Sequence, residues 1–174
     1  MTGVKYIIAI LLSILSSYSF AQNNCGITVD TMKIYLDENL DDFISGLQTQ
    51  KFKTSKDKSQ IPSSIKQYLN CLTSDSFSIA NPKEEYRCCC ESSLQLPKRK
   101  LLFFSESMGM FLITYLTGGV GVSTKILMLK LQDDKVIDLW TGYSFSEFKS
   151  KDQVIKYIKE KRKVRFGLHG DIAL

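Results

Sequence analysis

The chain is short of the residues from which most catalytic and metal sites are built. Its 174 residues include one histidine, His169, and one tryptophan, Trp140. A zinc site usually draws on spaced CxxC pairs or several histidines, and neither is present, so no metal and no cofactor is expected. A Cys-His catalytic pair would have to use His169, which lies in a C-terminal stretch without helical or strand periodicity. Charge of one sign is not in large excess: 23 basic residues stand against 18 acidic ones, a net +5. That balance favours solubility and predicts no nucleic-acid partner. The basic stretches 51–58, 98–100 and 159–165 are mostly lysine and lack interleaved aromatics, so they read as solvated faces rather than as a single-strand platform.

Long apolar runs are also scarce. The first, Tyr6 to Leu15, spans ten residues behind Lys5, and Ser19-Phe20-Ala21 places small residues at −3 and −1 of a cleavage site before Gln22. This is the pattern of a signal peptide, residues 1–21, and it falls short of the ~20 apolar residues of a membrane span. Lys5 is its only charged residue, so cleavage takes 23 basic residues to 22 against 18 acidic and the net charge to +4. An exported protein, periplasmic or extracellular and without a stable membrane span after cleavage, is the expectation. The residues before Cys25 are not the small and apolar ones that lipidation needs.

Export sets how the five cysteines are read. In an oxidising compartment Cys25, Cys71, Cys88, Cys89 and Cys90 are disulfide candidates before they are ligands or nucleophiles. An odd count leaves one thiol over, available for burial, for a link to a second chain or for reaction. A Cys25–Cys71 bridge is the preferred pairing, with the 88–90 cluster as its competitor.

Residues 22–174 then form a single domain. Asp30 is placed to cap a helix, and Met32, Leu36, Leu40, Phe43, Ile44 and Leu47 follow at helical spacing. Asp37, Glu38, Asp41 and Asp42 fill the other side of that helix and read as a solvated face, since the loop glycine of a calcium site is missing. Residues 48–60 are polar and lysine-rich and read as a mobile connector. Pro62 opens a second helix with Ile65, Tyr68, Leu69 and Leu72 on one stripe, and the two helices are expected to form an antiparallel hairpin. A short strand over Phe77 to Ala80 and an extended piece over Tyr86 to Glu91 follow. Ser150-Lys151-Asp152-Gln153 is a capping box that opens a C-terminal helix, and 166–174 is a tail.

The centre of the chain is the stretch Lys100 to Tyr143. Its four apolar runs are separated by turn signals at Ser105 to Gly109, Thr117 to Gly121 and Gln132 to Asp134. The expected fold class is therefore α+β: an N-terminal helical pair on a four- to six-stranded antiparallel meander, with a C-terminal helix. The order of elements over 30–143 resembles the cone-shaped folds of the nuclear transport factor 2 and cystatin types, without a motif that carries over a functional residue. Two central strands are apolar on both sides, Phe111, Ile113 and Tyr115 against Met110, Leu112 and Leu116 in the first of them. A half-exposed strand would alternate, so the sheet needs two covers.

Other chemistry is thin. Two SxxK matches, Ser63 to Lys66 and Ser146 to Lys149, lack the companion SDN and KTG elements and read as helix starts. The glycine-rich Gly118 to Gly121 lies between strands rather than before a helix, so it reads as a hairpin connection. Glu91, Glu106 and Asp138 could supply a carboxylate pair if the strands align. Trp140, Tyr143 and Tyr115 are the candidate ligand-binding residues. The expectation is a non-catalytic binding or assembly module using a sheet face or a pocket under the helices, its partner a protein or small ligand. A homodimer through the sheet face or the spare cysteine is compatible with this. The alternative is a small extracytoplasmic hydrolase-type enzyme with its site in the same cavity.

Overall fold

The computed structural model describes residues 30–73, 77–88, 95–118, 121–164 and 168–169. Its elements are α1 (Thr31–Tyr35), α2 (Leu40–Thr49), β1 (Lys53–Ser55), a 3₁₀ turn (Lys58–Gln60), α3 (Ser63–Leu72), β2 (Ile79–Ala80), β3 (Arg99–Ser107), β4 (Met110–Thr117), β5 (Ser123–Gln132), β6 (Lys135–Ser144) and α4 (Lys151–Lys161). This is the expected α+β class, with an N-terminal helical pair, a six-stranded sheet and a C-terminal helix. Residues 1–21, expected to be a signal peptide, and Cys25, Cys89, Cys90 and Glu91 lie outside the described residues.

Asp30 caps the first helix as its sequence position predicts, its Oδ1 accepting the Lys33 N–H at 3.0 Å. The helix does not run through to Leu47. It stops after Tyr35, where Asp37 takes a left-handed φ of 57°. The Asp37 N–H reaches the Ile34 carbonyl and the Glu38 N–H the Lys33 carbonyl, each at 3.1 Å, which is the Schellman arrangement with aspartate in the usual glycine position. Leu36 and Leu40 keep the spacing of a continuous helix, so periodicity conceals the break. Burial reveals it: Met32 and Leu36 are exposed, whereas Leu40, Phe43 and Leu47 are in the core.

The stretch 48–60 is more than a connector. Lys53, Thr54 and Ser55 pair antiparallel with Glu106, Ser105 and Phe104, and the Thr54 and Ser105 hydroxyls meet at 2.8 Å. A three-residue edge strand needs no apolar alternation, because its outer side faces solvent. For that reason the composition carried no strand signal. The excursion through β1 also separates the first two long helices. α2 and α3 do not close as a hairpin; α2 packs on α4 and α3 lies against β6. The Lys151 ammonium reaches the Leu47 carbonyl, Lys159 reaches Gln48 at 3.1 Å, and Arg162 pairs with Asp41, tying α4 along α2. α4 begins as predicted, with Ser150 accepting the Gln153 N–H, while the Gln153 side chain caps the Lys149 N–H at 2.7 Å.

The strand order is β1-β3-β4-β5-β6, all antiparallel, with β2 pairing parallel to the start of β3. The β3–β4 and β4–β5–β6 registers place Phe111, Leu129 and Leu139 on one face and Met110, Met128 and Trp140 on the other. Two tight hairpins, Met108-Gly109 and Asp133-Asp134, carry positive φ at both central residues, as two-residue hairpins following a right-handed twist require. Both faces of β4 are buried, so two covers exist as the alternation demands. α1 and α2 supply one, through Trp140, Asp138 and Phe43. The other face is met by Phe77, whose ring stands edge-on to Tyr115 at 5.4 Å.

Candidate functional site

The break between α1 and α2 places an acid where a surface helix would have put it in water. The Asp37 side chain is only 17% exposed. Its Oδ1 accepts the Trp140 indole N–H at 2.9 Å and faces His169 Nε2 at 2.7 Å. Two rings from distant parts of the chain therefore converge on one carboxylate oxygen. Trp140 stands edge-on to His169 with centroids 5.5 Å apart, and Tyr35 closes the imidazole's other side at 6.0 Å. With the proton on Nε2, the imidazole donates to Asp37, and the buried Nδ1 has no hydrogen-bond partner among the described residues.

The chain reaches this arrangement from three directions. β6 supplies Trp140, and Gly142 two residues on lets the indole lie flat: a Cβ there would come within 2.5 Å of the ring and 3.3 Å of the Leu168 carbonyl. The C-terminal stretch supplies His169 because the Tyr143 N–H donates to the Leu168 carbonyl at 3.1 Å, returning residues 168–169 to the outer edge of β6. The turn supplies Asp37. Just beside it Asn39, buried, donates to Asp138 Oδ1 at 2.6 Å and to the Leu139 carbonyl at 3.0 Å, and the Lys33 ammonium binds the same Asp138 oxygen at 3.0 Å. Tyr157 adds its hydroxyl to the Tyr143 carbonyl at 3.1 Å. These bonds occupy edge groups of β6 that would otherwise be open to another strand.

Outside this clamp the surface is apolar. Met32, Tyr35 and Leu36, at i, i+3 and i+4 of α1, are 60%, 42% and 57% exposed. Next to it the Arg162 guanidinium holds the Asp41 carboxyl below its ordinary range, and the ion pair raises Arg162 in turn. Glu38 and Asp42 are exposed on the turn and α2, Asp42 lying 4.0 Å from the Lys130 ammonium, and Lys161 and Lys163 are exposed at the end of α4.

The sequence-derived candidates fall out differently. Trp140 is fully buried, its indole N–H committed to Asp37. Tyr115 is also fully buried, on the opposite face of the sheet, and the register sets it across Lys125 from the half-buried Tyr143. The three aromatics therefore do not form one surface. Glu106 registers with Phe111 and Asp138 with Lys130, which puts the two carboxylates on opposite faces, so they make no acid–base pair. Asp37, read as part of a solvated face, instead accepts from Trp140 and meets His169, whose imidazole is only 8% exposed. Nothing in periodicity could find this pair, because its partners lie 132 residues apart. Ser146 sits in the exposed turn before α4, its N–H bonded to Ser144 Oγ at 2.9 Å.

Cys71, near the end of α3, is disulfide-bonded, and Cys88 is exposed. Among the described residues no group of three or more metal-ligating side chains converges, and no helix is long and apolar enough to cross a membrane. Two open depressions indent the surface. One of about 530 Å³ runs between α2 and α4, lined by Gln48, Lys151, Ile155 and Lys159; the other, about 520 Å³, lies between α2 and the two hairpin tips. Neither includes Trp140, Tyr115 or Tyr143. No family model, no curated protein and no solved structure matches the chain.

Proposed function

We propose that this chain is an exported, non-catalytic binding or assembly module that docks through the apolar face of α1. The observation that carries the reading is the exposure of Met32, Tyr35 and Leu36 on a helix that is otherwise pinned down. A five-residue helix cannot hold its shape alone. Here the Asp37 and Asn39 bonds to Trp140, His169 and Asp138 fix it against β6, so three large apolar side chains are presented on a rigid base. Preorganised anchors of this kind lower the entropy cost of association. The two sheet faces are occupied by the protein's own side chains, which moves the docking surface from the sheet to the helix.

Export is the second part of the reading. It is supported by the leader pattern of residues 1–21 and by the disulfide-bonded state of Cys71, for which Cys25 is the proposed partner. The experiment is photo-crosslinking from position 35 in the exported protein, with Met32→Glu/Leu36→Glu as the control. Adducts that vanish in the control while thermal unfolding is unchanged support the reading. Absence of any adduct from positions 32, 35 and 36 refutes it. Amino-terminal sequencing of the same material tests cleavage after Ala21.

The Asp37–His169 pair favours a second reading, an enzyme in which His169 is a general base oriented by the acid. Its exposure argues against it: the imidazole is 8% exposed and its one solvent-side partner, Tyr35, covers it.

A further inference from the structure

We draw no further inference here: the strongest candidate, the exposed apolar face that Met32, Tyr35 and Leu36 form on α1, carries nothing beyond the docking role already proposed for it, because nothing in the structure shows what covers it.

Discussion

Asp37 and Trp140 are separated by 103 positions, yet the indole N–H of one donates to the carboxylate of the other at 2.9 Å inside a wall of aromatic rings. The bond works in two directions. It satisfies the one polar atom of the buried tryptophan, and it holds the acid in a backbone conformation that few residues tolerate. Replacing Asp37 by Ala removes the partner that Trp140 and His169 share and puts an ordinary side chain at φ 57°. The expected cost is about 2–4 kcal/mol, combining a buried hydrogen bond with left-handed strain. Asp37→Asn keeps the acceptor and the tolerance, so it is expected to cost less than half as much. Chemical denaturation of the two variants decides: equal losses would show that the negative charge, not the conformation or the acceptor, is what the site needs.

Asn39 bears on the same corner from the other side. Its amide bonds Asp138 and the Leu139 carbonyl, and its removal leaves the half-buried acid with Lys33 and the Leu139 N–H and leaves the Leu139 carbonyl without this donor. Asn39→Ala is expected to destabilise by about 1–3 kcal/mol. Hydrogen exchange should show the loss first in α1 and the middle of β6; a uniform change across the protein would contradict the pinning role.

Gly118, immediately after β4, lies against the backbone of Cys88, and a Cβ at this position would overlap that backbone. Backbone does not yield as a flexible side chain does. Gly118→Ala is therefore expected to lower thermal stability markedly, whereas Gly121→Ala, which meets nothing within 4 Å, is expected to be nearly silent. Comparable melting shifts in the two variants would remove the close approach as the cause.

Tyr68 predicts behaviour at high pH. Burial pushes its hydroxyl up from 10.0 to about 12, and that hydroxyl has no hydrogen-bond partner among the described residues. A raised value favours the protonated form in the fold, so the contribution is intact below pH 10.0 and is lost as pH rises towards 12. Tyr68→Phe is expected to leave neutral-pH stability unchanged or improved by up to ~1 kcal/mol and to flatten the alkaline fall. An alkaline limb of the stability profile identical in the two proteins would exclude this residue.

At low pH the controlling groups are Asp41, Asp57 and Glu84. Arg162 holds Asp41 down, the backbone N–H of Ser59 holds Asp57 down, and Lys58 holds Glu84 down. Lowered values give stability that is present above the ordinary 3.8 of the aspartates and 4.5 of the glutamate, and lost as pH falls through the folded values. All three lie at the surface, so the acid loss is expected to be small and reduced by salt. An acid transition insensitive to salt would point to other groups.

The sequence by itself determined the elements whose signals are local. Asp30 and Ser150 cap helices because a side-chain oxygen three residues from an N–H needs nothing else. The meander was legible because β4 and β5 are apolar on both sides and their turns are short. The apolar stripe of α2 announced itself at helical spacing. What depends on distant partners was not legible. β1 carries no strand pattern, since an edge is defined by the neighbour it pairs with. The break at Asp37 hides under unbroken spacing, because an aspartate in a left-handed turn and one on a solvated face look alike until Trp140 and His169 arrive. Tertiary structure decided that α2 would lie beside α4 rather than α3, that Glu106 and Asp138 would face apart, and that the imidazole of the only histidine would be almost enclosed. The physical reason is common to all of these: caps and periodicity are satisfied within a few residues, while a buried carboxylate can be read only from the donors that the fold carries to it.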